Sequence, residues 1–131
     1  MKSELYNQSG CKDPTAYKAI KNLSKKTYFP LVYICSPFSG DVNNNLKKAR
    51  IYSRYALDNG NIPIAPHLLF PQFMSEEKER DLAMHFNYVL LGKCEELWVF
   101  GDYISSGMAL EIDVAKKRKM KIKYISKEVG A

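Results

Sequence analysis

Two short apolar runs, Leu31-Val32-Tyr33-Ile34-Cys35 and Leu97-Trp98-Val99-Phe100, constrain this chain most. Each is too short for a helix and has no polar alternation, so each suits a strand buried on both faces, which needs helices above and below it. Turn clusters follow both runs: Ser36-Pro37-Phe38-Ser39-Gly40-Asp41 after the first, and Gly101-Asp102-Tyr103-Ile104-Ser105-Ser106-Gly107 after the second. Between and beyond them, helical and strand patterns alternate. A helix is predicted from about residue 43 to 59, with Leu46, Ala49, Tyr52 and Ala56 facing inward and Gly60 ending it. Ile62 to Ala65 reads as a second strand and residues 66–74 as a long loop holding His67. Ser75-Glu76-Glu77-Lys78 resembles a helix start, with the helix running to about Gly92. Ser105 or Ser106 caps a last helix to about Lys119, and Lys121 to Ile125 forms a final strand before a frayed tail.

Strand and helix alternating on this scale imply an α/β fold: one doubly wound, mainly parallel sheet of Rossmann-like or flavodoxin-like type, with helices on both faces. At 131 residues and 46% hydrophobic content, the chain has the length of a single domain. Residues 31–131 are assigned to that domain. Residues 1–30 are polar and lysine-rich, and are read as an N-terminal extension with one short helix over about 14–25, capped by Asp13 and striped by Ala16, Ile20 and Leu23.

The balance of 20 Lys and Arg against 14 Asp and Glu gives a net charge of +6. The excess falls in short clusters on or beside helices, which reads as solvated helix faces and not as a nucleic-acid stripe, since no aromatic-interleaved basic motif accompanies it. A basic surface still favours anionic small molecules such as nucleotides. Cys11, Cys35 and Cys94 are odd in number and lack metal-ligand spacing, so neither a disulfide frame nor a zinc site is expected, and a reducing cytoplasm fits best. No apolar leader and no membrane-spanning run is seen, and no metal or organic cofactor is indicated.

In such a fold, ligands bind beyond the carboxyl ends of the strands, where the strand order reverses. Ser36, Ser39 and Gly40 are therefore expected opposite Ser105, Ser106 and Gly107, each group leading into a helix N-terminus that favours phosphate, with Asp102 a further candidate for substrate binding. Turn formation alone explains the same strings. Glu111 follows in the early turns of its helix. A Glu there commonly only complements the helix dipole, but Met108, Ile112 and Ala115 form the apolar stripe, which puts Glu111 beside the buried edge. Tyr33, near the end of the first strand, packs in the core or reaches a carboxylate across the crevice. His67 is a satisfied loop residue or a site residue.

Val32-Tyr33-Ile34-Cys35, the spacing from Asn87 to Glu111, and Ser105-x-Gly107-x-x-x-Glu111 followed by Ala115 resemble the nucleoside 2-deoxyribosyltransferase superfamily, which includes deoxynucleoside 5′-monophosphate N-glycosidases. Over nearly its full length the chain is similar to a family of small deoxyribosyltransferase-like proteins frequent in phages and prophages. Asp13-Pro14-Thr15-Ala16, Ile62-Pro63-Ile64-Ala65-Pro66-His67 and Cys94-Glu95-Glu96-Leu97-Trp98-Val99-Phe100-Gly101 carry that match.

The resemblance implies Glu111 as nucleophile, Tyr33 contacting it or the sugar, and Ser105 helping to hold a 5′-phosphate. A carboxylate attack at the anomeric carbon would give a glycosyl-enzyme resolved by water or by a second base. It also implies a nucleoside or nucleotide as the small-molecule partner and a homo-oligomer whose copies complete one another's sites. One departure stands out. The superfamily's acidic partner for the leaving base maps onto Asn87, whose amide has no proton to transfer, leaving Asp81, His85 or Asp102 as substitutes. The first-turn arginine that often contacts phosphate is also missing, with Ser39 near its place. Three readings follow: an N-glycosidic bond enzyme, a nucleotide-binding module without turnover, and an interaction protein using the basic extension and helix faces.

Overall fold

A computed structural model describes residues 28–126. The helix expected over residues 14–25, its Asp13 cap, Cys11 and the terminal tail lie outside the described residues.

Strand β1 spans Leu31–Cys35 and β3 spans Glu96–Phe100, and in both every residue after the first is buried. Side chains alternate across a strand, so each run feeds two cores. Tyr33, Cys35, Leu97 and Val99 share one cluster with Leu91, Met108, Ile112 and Ala115. Val32, Ile34, Trp98 and Phe100 share the other with Tyr52, Ala56 and Ile125. Burying one such large apolar side chain contributes about 1.5–3 kcal/mol, which is why two five-residue runs can anchor the whole sheet.

The sheet has four strands in the order β2-β1-β3-β4, with β2 at Ile62–Ile64 and β4 at Lys121–Ile125. All three pairings are parallel, with Tyr33 beside Leu97 and Cys35 beside Val99 at the centre. Helix α1, Val42–Asp58, packs on the Val32/Ile34 face, whereas α2, Arg80–Lys93, and α3, Ser106–Lys117, pack on the Tyr33/Cys35 face. Helices therefore lie on both faces of a parallel sheet, as expected. The strand order reverses between β1 and β3, which places the crevice beyond their carboxyl ends.

Both edges are protected against further pairing. Pro63 sits within edge strand β2, and β4 carries exposed Lys121 and Lys123, the latter with Nζ 4.5 Å from the Trp98 ring centroid. Helix α1 starts as its turn cluster suggests, with Asn44 N–H donating to Asp41 Oδ1 at 3.2 Å. It ends before Gly60, whose φ of +83° lies in the left-handed region that glycine adopts without strain. Ala49, Tyr52 and Ala56 form its buried stripe, and Leu46 is half-buried.

The segment after β2 differs from expectation. Residues 66–74 contain two 3-10 turns, Pro66–Leu68 and Phe70–Gln72, each opening on or near a proline. Ser75 does not start α2. Its hydroxyl accepts from Lys78 N–H at 3.2 Å, and its own N–H donates to Glu79 Oε1 at 2.8 Å, so the capping residues close a separate turn. Glu79 then leaves helical geometry at φ −121° and ψ 18°, and the helix proper begins at Arg80. Among the described residues, no helix is long and apolar enough to cross a membrane.

Candidate active site

Glu111 sits on the floor of the crevice and is only 3% exposed. Because α3 turns its Met108, Ile112 and Ala115 stripe onto the sheet, the residue one position before Ile112 is carried down with it. Strand β1 supplies its partners. The Tyr33 hydroxyl donates to Glu111 Oε2, and the Cys35 thiol, two residues on and hence on the same face, lies 3.4 Å from Oε1. Both carboxylate oxygens thus meet a donor from one strand.

Burial pushes the Glu111 carboxyl up from 4.5 to about 7, while the hydrogen bonds from Tyr33 and Cys35 pull in the opposite direction. Burial, with the Glu111 charge next in importance, raises the Tyr33 hydroxyl well above its ordinary value and raises the Cys35 thiol likewise. Tyr33 and Cys35 therefore remain protonated donors at neutral pH.

The crevice above this floor encloses about 760 Å³, including its open mouth. Ser36, Phe38 and Ser39 from the loop after β1 form one wall; Pro66, His67, Phe70 and Met74 after β2 form another. Helix α2 contributes Arg80, Ala83, Met84 and Asn87, and the start of α3 contributes Ser105, Ser106, Gly107 and Met108. The Ser36/Ser39 loop and the Ser105–Gly107 turn are thus brought together across the crevice that holds Glu111.

Two buried polar atoms on these walls have no hydrogen-bond partner among the described residues: Ser36 Oγ and Asn87 Oδ1, in side chains 1% and 6% exposed as residues. A buried acceptor or hydroxyl left unpaired costs about 1–3 kcal/mol, which a ligand group supplying the missing bond would recover. His67 Nε2 lies 3.1 Å from the Ser36 carbonyl, and its ring sits 5.0 Å from that of Phe38. Burial lowers the His67 pKa, against the raising effect of that carbonyl, so the imidazole is neutral near pH 7.

The loop after β1 is held from α1, because Asn45 Nδ2 donates to the carbonyls of Phe38 and Ser39 at 3.0 and 3.1 Å. Ser105 caps α3: Met108 N–H donates to its Oγ at 3.3 Å, and Ser105 N–H approaches Met108 Sδ at 3.5 Å. Of the first α3 turn, the N–H groups of Ser106 and Gly107 are left for a ligand. A Cβ on Gly107 would meet nothing within 4 Å, so a side chain there would project into open space.

Some expected residues fall elsewhere. Gly40, at φ +95°, shapes the turn into α1 but does not line the crevice. Asp102 is exposed and also off the crevice; its charge acts on the Tyr52 hydroxyl instead. Asp81 and His85 are exposed on α2 and absent from the lining, because the face carrying Arg80, Ala83, Met84 and Asn87 is the one turned inward. Of the four residues that the resemblance offered for the leaving base, Asn87, Asp81, His85 and Asp102, only Asn87 lines the crevice.

Sequence reasoning missed Cys35 as a partner of Glu111, although the period of two that placed Tyr33 on that face also places Cys35 there. It missed Arg80 as well. With no arginine in the first turn, α2 brings one to the crevice rim, 3.8 Å from Glu76. Phe70 and Met74 were hidden in a loop with no periodicity to orient them.

The fold is shared with two solved 2-deoxyribosyltransferases. That from Bacillus psychrosaccharolyticus aligns with a TM-score of 0.58 at 20% identity, over 77% of this chain and 74% of that one. That from Leishmania mexicana aligns with a TM-score of 0.55 at 14% identity, over 74% of this chain and 64% of that one. At these identities the likeness is one of fold. No curated protein matches the sequence. A family model described as a domain of unknown function (DUF7768) matches residues 30–125, from the residue before β1 to the end of β4, and the chain belongs to that family.

Proposed function

We propose that this protein cleaves or transfers the N-glycosidic bond of a nucleoside or its 5′-monophosphate, with Glu111 as the nucleophile at the anomeric carbon. The observation that carries this reading is the buried Glu111 carboxylate on the floor of an open crevice lined by both polar and apolar side chains, with Tyr33 and Cys35 each engaging one oxygen. A carboxylate so held is oriented for attack, and its two donors stabilise the charge that returns when the glycosyl bond breaks. The shared fold of two transferases acting on deoxyribosyl groups supports the same chemistry. Ser36 Oγ suits a sugar hydroxyl; Ser39, Ser105, Ser106 and the first turn of α3 suit a phosphate, with Arg80 at the rim adding charge.

Incubation with a panel of nucleosides, deoxynucleosides and their monophosphates, followed by chromatography for free base, tests the proposal. Wild type should release base and Glu111→Gln should lose at least about 1,000-fold, within the range for removal of a covalent nucleophile. Equal release by both, or none by wild type, rejects it.

Asn87 favours a second reading, in which the crevice holds a nucleotide without turnover, since its amide recognises but transfers no proton. Tight binding by calorimetry, with no product on prolonged incubation, would select that reading. Under either, residues 31–131 form the functional domain with residues 1–30 as an extension. The protein is then a cytoplasmic homo-oligomer akin to the small deoxyribosyltransferase-like proteins of phages and prophages. Sedimentation at micromolar concentration checks the assembly.

A further inference from the structure

A ring nitrogen leaves an anomeric carbon in one of two ways. It takes a proton from an acid held beside it, or it already carries positive charge and departs as a neutral ring. Among the described residues, the ionisable side chains lining the crevice are His67, Glu76, Arg80 and Glu111. Glu111 is committed to the sugar carbon. His67 directs Nε2 at the Ser36 carbonyl, 3.1 Å away, so that nitrogen carries the hydrogen, while burial keeps the ring neutral. Glu76 and Arg80 stand at the rim with side chains 54% and 62% exposed. The buried polar group that α2 turns into the crevice is Asn87, and its unpartnered Oδ1 is a lone-pair acceptor with no proton to give.

The walls offer a different kind of help. The rings of Phe38 and Phe70 and the thioethers of Met74 and Met84 line the same space as that amide oxygen. Aromatic faces attract a flat cation, polarizable sulfur packs well against a planar ring, and a carbonyl dipole directs its negative end at positive charge. Resting on Glu111 as nucleophile, we propose that the substrates of this site are N-glycosides whose base already bears a positive charge, of the pyridinium or N7-alkylated purinium class, and that Asn87 is a specificity-determining residue for them. In the first step a Glu111 oxygen bonds to C1′ as the C1′–N bond breaks, and the electron pair of that bond cancels the charge on the ring; no proton moves. In the second, water oxygen bonds to C1′, the C1′–Oε pair returns to the carboxylate, and the spare proton of the water goes to solvent.

Matched substrates test this: 7-methyl-2′-deoxyguanosine against 2′-deoxyguanosine, and 7-methylguanosine against guanosine, with spontaneous release subtracted. The expected kcat/KM is at least about 100-fold higher for the charged member of a pair, the lower end of what a general acid contributes. Asn87→Asp, which places a protonatable group on that wall, should raise kcat/KM for the neutral member at least about tenfold and narrow the gap. Equal or faster release from the neutral members, abolished by Glu111→Gln, overturns the inference and leaves the proposed function standing. Release from no member of either pair, with none from the wider panel, overturns both. The wild-type comparison decides the matter even if Asn87→Asp fails to fold; a folded variant with an unchanged gap removes Asn87 from the role.

Discussion

Glu111 sets a conflict between stability and chemistry at a single residue. Its carboxyl rises from 4.5 to about 7 on folding, so between those values the native state retains a proton that the unfolded chain has released. Stability from this group is therefore full below about pH 4.5 and falls as pH rises through 7, by about 3 kcal/mol in total. His67 acts oppositely, since its lowered pKa disfavours the native state in acid, and only comparison with a variant isolates Glu111. Glu111→Gln should be more stable than wild type at pH 8, by about 1–3 kcal/mol in denaturant melts, and no more stable at pH 4. The proposed base release requires the ionised form, so its kcat/KM should climb through an apparent pKa of about 7 to a plateau, in the range where wild-type stability declines. Tyr33→Phe removes a donor to the charged form: the climb should move to higher pH and the plateau drop about 10- to 100-fold, read from the same profile.

The start of α3 separates structural from ligand-facing roles at the scale of one element. Ser105→Ala removes the cap on Met108 N–H and should cost about 1 kcal/mol in thermal unfolding. Gly107→Ala should leave stability unchanged or raise it by up to about 1 kcal/mol, because alanine is the better helix former and its Cβ meets nothing within 4 Å. Because Gly107 lines the crevice, the same methyl should weaken nucleotide binding in calorimetry; unchanged affinity would place the ligand elsewhere. Elements marked by a strong period or a compact apolar run were legible in the sequence. β1 and β4 match their expected bounds, and the Met108/Ile112/Ala115 stripe located Glu111 correctly beside the core. The start of α2 was not, because Ser75 and Glu79 form the same bonds in an isolated turn as at a helix start, and local sequence does not distinguish the two. Nor were Asp81, His85 and Asp102 separable from Asn87 as crevice residues, since that depends on the rotation of α2 and the path of the loop after β3.

At the scale of the whole molecule, the reversal of strand order between β1 and β3 joins loops distant in sequence into one crevice. A four-stranded sheet with two clusters of buried side chains frames that crevice, and Ser36 Oγ and Asn87 Oδ1, without a hydrogen-bond partner among the described residues, are available to a ligand. A bound nucleotide should therefore raise the unfolding temperature in proportion to the logarithm of its concentration, corresponding to about 2.7 kcal/mol at 100 times Kd. The covalent intermediate is the most direct test of the account. Wild type mixed with a cleavable nucleoside, quenched in acid within the first turnovers and digested, should yield a peptide containing Glu111 heavier by one glycosyl unit, and Glu111→Gln should yield none. Base release by wild type with the glycosyl unit on another residue, or undiminished release by Glu111→Gln, would contradict it.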